Sequence, residues 1–212
     1  DFPQIRDAQY HMALYELLAE LNYKHCAILK KRQIASSYFH CAKMINMIWF
    51  EETPILKMGA ALKDYINDKG SWKFLSEYRS FLDEHTAWYR PMTPAKVLMW
   101  QQQIEETMNG RKHMKGLKGV LQGVTFEKDP TSGVGGPCTI FFYEEAGIAP
   151  TMDITVEFLF PAMRSGQITT GIFIAAGSVG DLDQCEPLKQ MILYPDSNDI
   201  YSVETEIGRA HV

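Results

Sequence analysis

Residues 28 to 43 read ILKKRQIASSYFHCAK: an apolar pair, a basic cluster, a short run of small polar residues and then a helical pattern. The preceding HCAILK (25–30) fits a short buried strand. SYFHCAKMINMIWFEE (37–52) keeps apolar residues at helical spacing until Pro54 stops it. The order is strand, polar turn, helix. In that arrangement backbone N–H groups at the start of a helix converge on an anion. To hold a phosphate chain, such a turn adds one lysine for charge and one Ser or Thr hydroxyl for a magnesium ion. Here Ser36 stands beside the hydroxyl where the lysine is usual, Lys30 and Lys31 lead the turn, and Ser37 closes it. Taken alone, the stretch also fits a solvated basic turn.

The rest of the chain sets the frame. With 212 residues, 46% hydrophobic and 22% charged, it has the makings of one soluble α/β domain with a full core. A net charge of -5 argues against a constitutive nucleic-acid coat. Cysteines at 26, 41, 138 and 185 lack CxxC spacing, which suggests neither a zinc ribbon nor a disulfide scaffold and fits a reducing compartment. His25-Cys26 and His40-Cys41 read as ordinary partly buried residues rather than a metal site. No signal peptide and no apolar run of membrane-spanning length is visible, so neither secretion nor membrane insertion is expected. The chain begins at Asp1 without Met and closes on EIGRAHV, whose back-translation resembles a sequencing adapter. Residues 1–206 are therefore expected to be a truncated domain and residues 207–212 adapter read-through.

DAQYHMALYELLAELN (7–22) predicts an amphipathic helix over 8–21 with Asp7 as N-cap. Residues 57–110 look mostly helical, including KFLSEYRSFLDEHTAWY (73–89), with a break at RPMTP (90–94) and a stop at Gly110. They are expected to form an inserted helical layer. The aromatics in this stretch fit core packing better than base stacking. GVLQGVTF (119–126), PCTIFFYEE (137–145) and TTGIFIAAGS (169–178) then read as strands of a parallel sheet, the last two fully buried.

CTIFFYEEAG (138–147) ends an apolar strand on two adjacent acids. Nucleoside triphosphatases divide labour between such a pair. The first, Glu144, would hold magnesium through water; the second, Glu145, would orient and deprotonate the attacking water. A strand running into a solvated turn is the plainer reading. Gly177 and Ser178, in GIFIAAGSVGD (171–181), either sense a terminal phosphate or form a strand-to-loop turn. RKHMKGLKG (111–119) is the densest basic strip and reads as a solvated loop rather than a DNA contact.

QIRDAQYHM (4–12), LKKRQIASSYF (29–39), TIFFYEEAG (139–147) and IAAGSVGD (174–181) together resemble the ATPase domain of the large terminase of tailed bacteriophages, from Pro3 to about Glu204. That family's phosphate loop often runs Lys-x-Arg-Gln-x-Gly-x-Ser, and Lys30, Arg32, Gln33 and Ser37 match it; Ala35 stands where it has glycine. The resemblance implies a P-loop NTPase fold of the ASCE type: three layers, a mainly parallel central sheet and an inserted helical segment. It implies ATP and Mg2+, with Lys30, Gln33, Ser36 and Ser37 in the loop and Glu144 and Ser37 at the metal. Glu145 is the implied catalytic acid, and Gln9, with Gln4 as fallback, the reader of adenine. Arg32 would stabilise the transferring phosphate, with Arg111 or Arg164 as candidates to do so from a neighbouring subunit. Implied partners are double-stranded DNA, the portal protein, the small terminase subunit and further copies in a ring, in the host bacterial cytoplasm and away from membranes. Another P-loop DNA motor of helicase type, or a degenerate nucleotide-binding module without turnover, are the rival readings.

Overall fold

The computed structural model describes residues 4–86, 88–89, 95–133 and 135–202. In chain order the elements are α1 (Asp7–Leu21), β1 (Cys26–Leu29), α2 (Ser36–Phe50), β2 (Ile55–Ala60), α3 (Ser71–His85), β3 (Ala95–Lys96), β4 (Met99–Gln101), β5 (Ile104–Met108), β6 (Arg111–Lys115), β7 (Val120–Thr125), β8 (Ile140–Glu144), α4 (Met152–Ala162), β9 (Arg164–Ser165), β10 (Ile168–Thr169), β11 (Ile172–Gly177) and α5 (Leu182–Leu193). Seven strands join in the order β1-β11-β8-β2-β7-β4-β3. The first five run parallel, and β4 and β3 add an antiparallel edge. One strand, β11, separates the strand that feeds the polar turn from the strand that ends in the two acids.

Strands buried on both faces lose the polar-apolar alternation of an open sheet. β8 and β11 are buried at every residue. Their side chains still alternate between two cores. Ile140, Phe142, Ile172 and Ile174 pack with α1, α2 and α3; Phe141, Tyr143, Phe173 and Ala175 pack with α4 and α5. These are three layers, helix on sheet on helix. Because the five strands are parallel, their carboxyl ends share one edge, where Ala60, Glu144 and Ala176 lie side by side and Leu29 neighbours Gly177. Crevices at that edge are where open α/β sheets bind ligands. Gly177 and Gly147 make the approach there close: a Cβ on Gly177 would lie 2.1 Å from the Gly147 nitrogen, and one on Gly147 would lie 1.7 Å from the Ser178 carbonyl oxygen.

The inserted segment differs from its sequence-based expectation. Among its described residues only α3 is a long helix; residues 55–60 form β2, at the heart of the sheet, and strands β3 to β5 follow α3. Lys57 helped hide β2, since a charged residue seldom sits in a central strand. It is 5% exposed, and its Nζ donates to the carbonyls of Gly133 (2.9 Å) and Gly135 (3.0 Å). Gly110 does not stop a helix. Asn109 and Gly110 both take positive φ, 52° and 74°, and form the tight turn of a β5–β6 hairpin. Residues 111–115 of the basic strip are therefore a strand, not a loop, and Glu105 and Glu106 across the hairpin pair with Lys112 and Lys115. The first helix begins at Asp7 itself, with Arg6 at the cap position and its N–H donated to Gln9 Oε1 (2.9 Å). The break at residues 90–94 and the adapter-like residues 207–212 lie outside the described residues.

Candidate active site

β1 delivers the chain to the shared edge, and the Lys30 N–H still donates to the Gly177 carbonyl (2.9 Å). The turn then needs two left-handed residues, Gln33 (φ 67°) and Ala35 (φ 60°), before α2 starts at Ser36. Alanine there costs about 1 kcal/mol relative to glycine, so the loop keeps its shape at the expense of strain. A brace beneath it supports that shape. Ser36 is buried, and its carbonyl and hydroxyl lie 2.7 and 3.2 Å from His40 Nδ1. His40 Nε2 lies 2.8 Å from Glu16 Oε1, and Lys43 donates to Glu16 Oε2 (2.8 Å). The imidazole stacks on Phe142 of the sheet at 4.0 Å. Burial alone would raise the Glu16 pKa, but His40 and Lys43 outweigh it and hold the carboxyl below its ordinary range.

The side chains named from sequence meet above this brace. Ser37 Oγ donates to Glu144 Oε1 at 2.7 Å, across 107 residues of chain. Lys30 Nζ donates to Glu145 Oε1 at 2.8 Å, across 115. Ser178 Oγ reaches Glu145 Oε2 at 3.4 Å, and Ser71, which the sequence did not single out, donates to Glu144 Oε2 at 2.9 Å. Glu144 is 2% exposed, and burial pushes its pKa up against the opposing pull of Ser37, Lys30 and Ser71. Glu145 sits in the left-handed region at φ 49°, a strained conformation of the kind that clusters at functional sites.

A cleft of about 580 Å³ opens over these groups, lined by Lys30, Arg32, Gln33, Ser37, Glu145 and Ser178 among others. A second cleft of about 1060 Å³ shares Ala35 and Tyr38 with it and includes Gln4 and Gln9. The Gln9 amide spans the boundary: Oε1 caps α1, and Nε2 donates to the Ala35 carbonyl (3.4 Å). Arg32 is exposed at the cleft, whereas Arg111 projects from the β5–β6 hairpin. Arg164 donates to Asp199 (2.6 Å), whose carbonyl bonds the N–H of His25 just before β1, at the far end of the strands. A hydroxyl beside a carboxylate offers hard oxygen donors, and magnesium typically takes one or two protein ligands plus phosphate and water oxygens, so Ser37 and Glu144 fit it. Among the described residues no group of three or more His, Cys, Asp or Glu suits a metal held by protein alone.

The strand order and this loop-and-acid edge give the chain a P-loop NTPase fold of the ASCE type, with β11 as the strand between loop and acids. Within that class its fold is that of phage large-terminase ATPase domains. It is similar to a mutant of the Thermus phage P74-26 large terminase ATPase domain, at 14% identity and TM-score 0.62, over 90% of this chain and 70% of that one. The same domain in a second structure matches at 13% identity and TM-score 0.57, over 81% and 64%. The large terminase of bacteriophage HK97 matches at 10% and 0.62, over 96% of this chain and 40% of that one. No protein-family model and no curated protein sequence matches the chain. Among the described residues no helix is long and apolar enough to cross a membrane.

Proposed function

We propose that this chain is the ATPase domain of a phage DNA-packaging motor, hydrolysing ATP with Mg2+ to drive double-stranded DNA into a procapsid in the host bacterial cytoplasm. The observation that carries the reading is the double pairing of the phosphate turn with the acid strand, Ser37 to Glu144 and Lys30 to Glu145, on a terminase fold. Ser37, and Glu144 through water, would hold a magnesium ion, which when bound would neutralise charge on the phosphate oxygens. Lys30 presents its ammonium to the phosphates beside the acid. Glu145 accepts the proton of the attacking water, and Ser178 fixes the orientation of its carboxylate. Arg32, exposed at the cleft mouth, faces the transferring phosphate. Gln9 ties adenine recognition to the loop through Ala35, and Gln33, Ser36 and Gly177 shape the backbone around the phosphates. The portal protein, the small terminase subunit and further copies in a ring are its partners.

Glu145→Gln keeps the shape of the side chain but cannot accept a proton. Turnover should fall by roughly 10²- to 10⁴-fold with ATP binding nearly unchanged. Hydrolysis by this variant at the wild-type rate would remove Glu145 from the mechanism. The strain at Ala35 favours a second reading, a nucleotide-binding module without turnover. It predicts ATP binding by the wild type with no phosphate release, with or without DNA.

A further inference from the structure

Glu144 is held from two helices, and only one of the holds comes from the phosphate turn. Ser37, in the first turn of α2, donates to Oε1; Ser71, the first residue of α3, donates to Oε2 at 2.9 Å. Ser71 is 2% exposed, and its carbonyl accepts the Cys41 thiol of α2 (3.5 Å), which fastens the start of α3 against the phosphate helix. The chain is shaped to bring it there. Gly70 packs so tightly on the preceding turn that a Cβ would lie 2.1 Å from the Tyr65 carbonyl oxygen. Tyr65, before that turn, and Phe74, one turn into α3, line the phosphate cleft.

A glutamate has three rotatable bonds, and a single donor on one oxygen leaves its carboxylate free to swing. Two hydroxyls from different helices remove that freedom. Neither brings a positive charge that would compete with a cation for the carboxylate. Resting on the ATPase reading above, we propose that Ser71 is a positioning residue for the metal corner: it locks the second oxygen of Glu144 so that the first, with Ser37, stays aimed at a magnesium ion on the nucleotide. The inserted helix α3 then reports directly on the metal, because its first residue is bonded to the carboxylate that holds it.

The test measures binding rather than turnover. A fluorescent ATP analogue is titrated into the protein across a range of Mg2+ concentrations and again in EDTA, with melting temperature recorded for each variant. Ser71→Ala should raise the Mg2+ concentration for half-maximal nucleotide binding on the order of tenfold, the scale of one hydrogen bond to a charged group, and leave binding in EDTA unchanged. Ser71→Thr, which keeps the hydroxyl, should stay close to the wild type. An unchanged Mg2+ requirement in Ser71→Ala, beside a wild type that responds to Mg2+, would overturn the role of Ser71 alone. Equal weakening with Mg2+ and in EDTA would reduce Ser71 to a packing residue. A wild type whose nucleotide binding ignores Mg2+ would overturn the ATPase reading and this inference together.

Discussion

Glu16 and Glu144 are buried to the same depth, 1% and 2% exposed, and are held in opposite ways. Glu16, on α1, faces His40 and Lys43 of α2, and these partners bring its pKa down. Glu144, at the end of β8, receives two serine hydroxyls, while the Lys30 ammonium is bonded to the neighbouring Glu145; burial lifts the Glu144 pKa against the pull of Lys30 and both serines. One carboxylate is bonded to the protein's own cations and the other is not. A buried charge left without a cation is costly to the fold, and such costs persist where function requires them. On the function proposed above, the contrast separates a structural acid from one that waits for a ligand.

The strongest way to break the contrast is at Glu16. Removing one partner of a buried charge pair typically costs about 3–5 kcal/mol, so Glu16→Ala should lower stability on that scale in denaturant unfolding. The sign of its pH dependence is fixed. A carboxyl whose folded pKa lies below its ordinary 4.5 contributes stability that is present above that value and is lost as pH falls through the lowered one. Wild type and Glu16→Ala should therefore converge in acid. A gap that widens on acidification would overturn the assignment of Glu16 as the brace beneath the loop.

The next effect sharpens the other side. Lys30 is 7% exposed in its side chain and bonded to Glu145, whereas Lys31 is exposed. Lys30→Ala should lose on the order of tenfold to a hundredfold in nucleotide affinity or turnover, the range of a charge-assisted hydrogen bond, and Lys31→Ala should lose little. If Lys31→Ala were dead and Lys30→Ala silent, the register of the turn would be off by one. Moving the lysine to its more usual place beside the hydroxyl is no remedy, because Ser36 is buried against His40.

Much of this was legible in the sequence. The β1–turn–α2 unit, the acid strand β8 and the strand β11 announced themselves by apolar runs ending in small or charged residues, and Lys30, Ser37, Glu144, Glu145 and Ser178 meet where that order places them. What stayed hidden depends on distant contacts. β2, with Lys57 and two small residues in ILKMGA, satisfies a buried ammonium only through carbonyls 76 and 78 residues away. The hairpin at 104–115 carried its signal in Asn109-Gly110, which also suits a helix stop. Ser71 looked like any serine opening a helix. Glu16 and His40 each fit the amphipathic pattern of their own helix, and nothing local says that they touch. The left-handed turn at Ala35 was foreseeable from the glycine that the resembling loops carry there, and the loop adopts it despite the side chain.

The measurement that goes straight to the contrast is the melting temperature of the wild type and of Glu144→Gln, each with no addition, with ATP in EDTA, and with ATP and Mg2+ together. Because the folded pKa of Glu144 is raised above 4.5, its ionised form weighs against folding at neutral pH and that burden disappears as pH falls toward 4.5. Glu144→Gln should therefore melt higher than the wild type at neutral pH, with the gap closing in acid. Ligands that bind only the folded state raise the melting temperature. Mg2+ with ATP should lift the wild type above ATP in EDTA, and should give Glu144→Gln no such increment. A variant that melts lower than the wild type at neutral pH, or that keeps the full magnesium increment, would contradict the claim that this buried acid is left without a bonded cation to hold a metal-bound nucleotide.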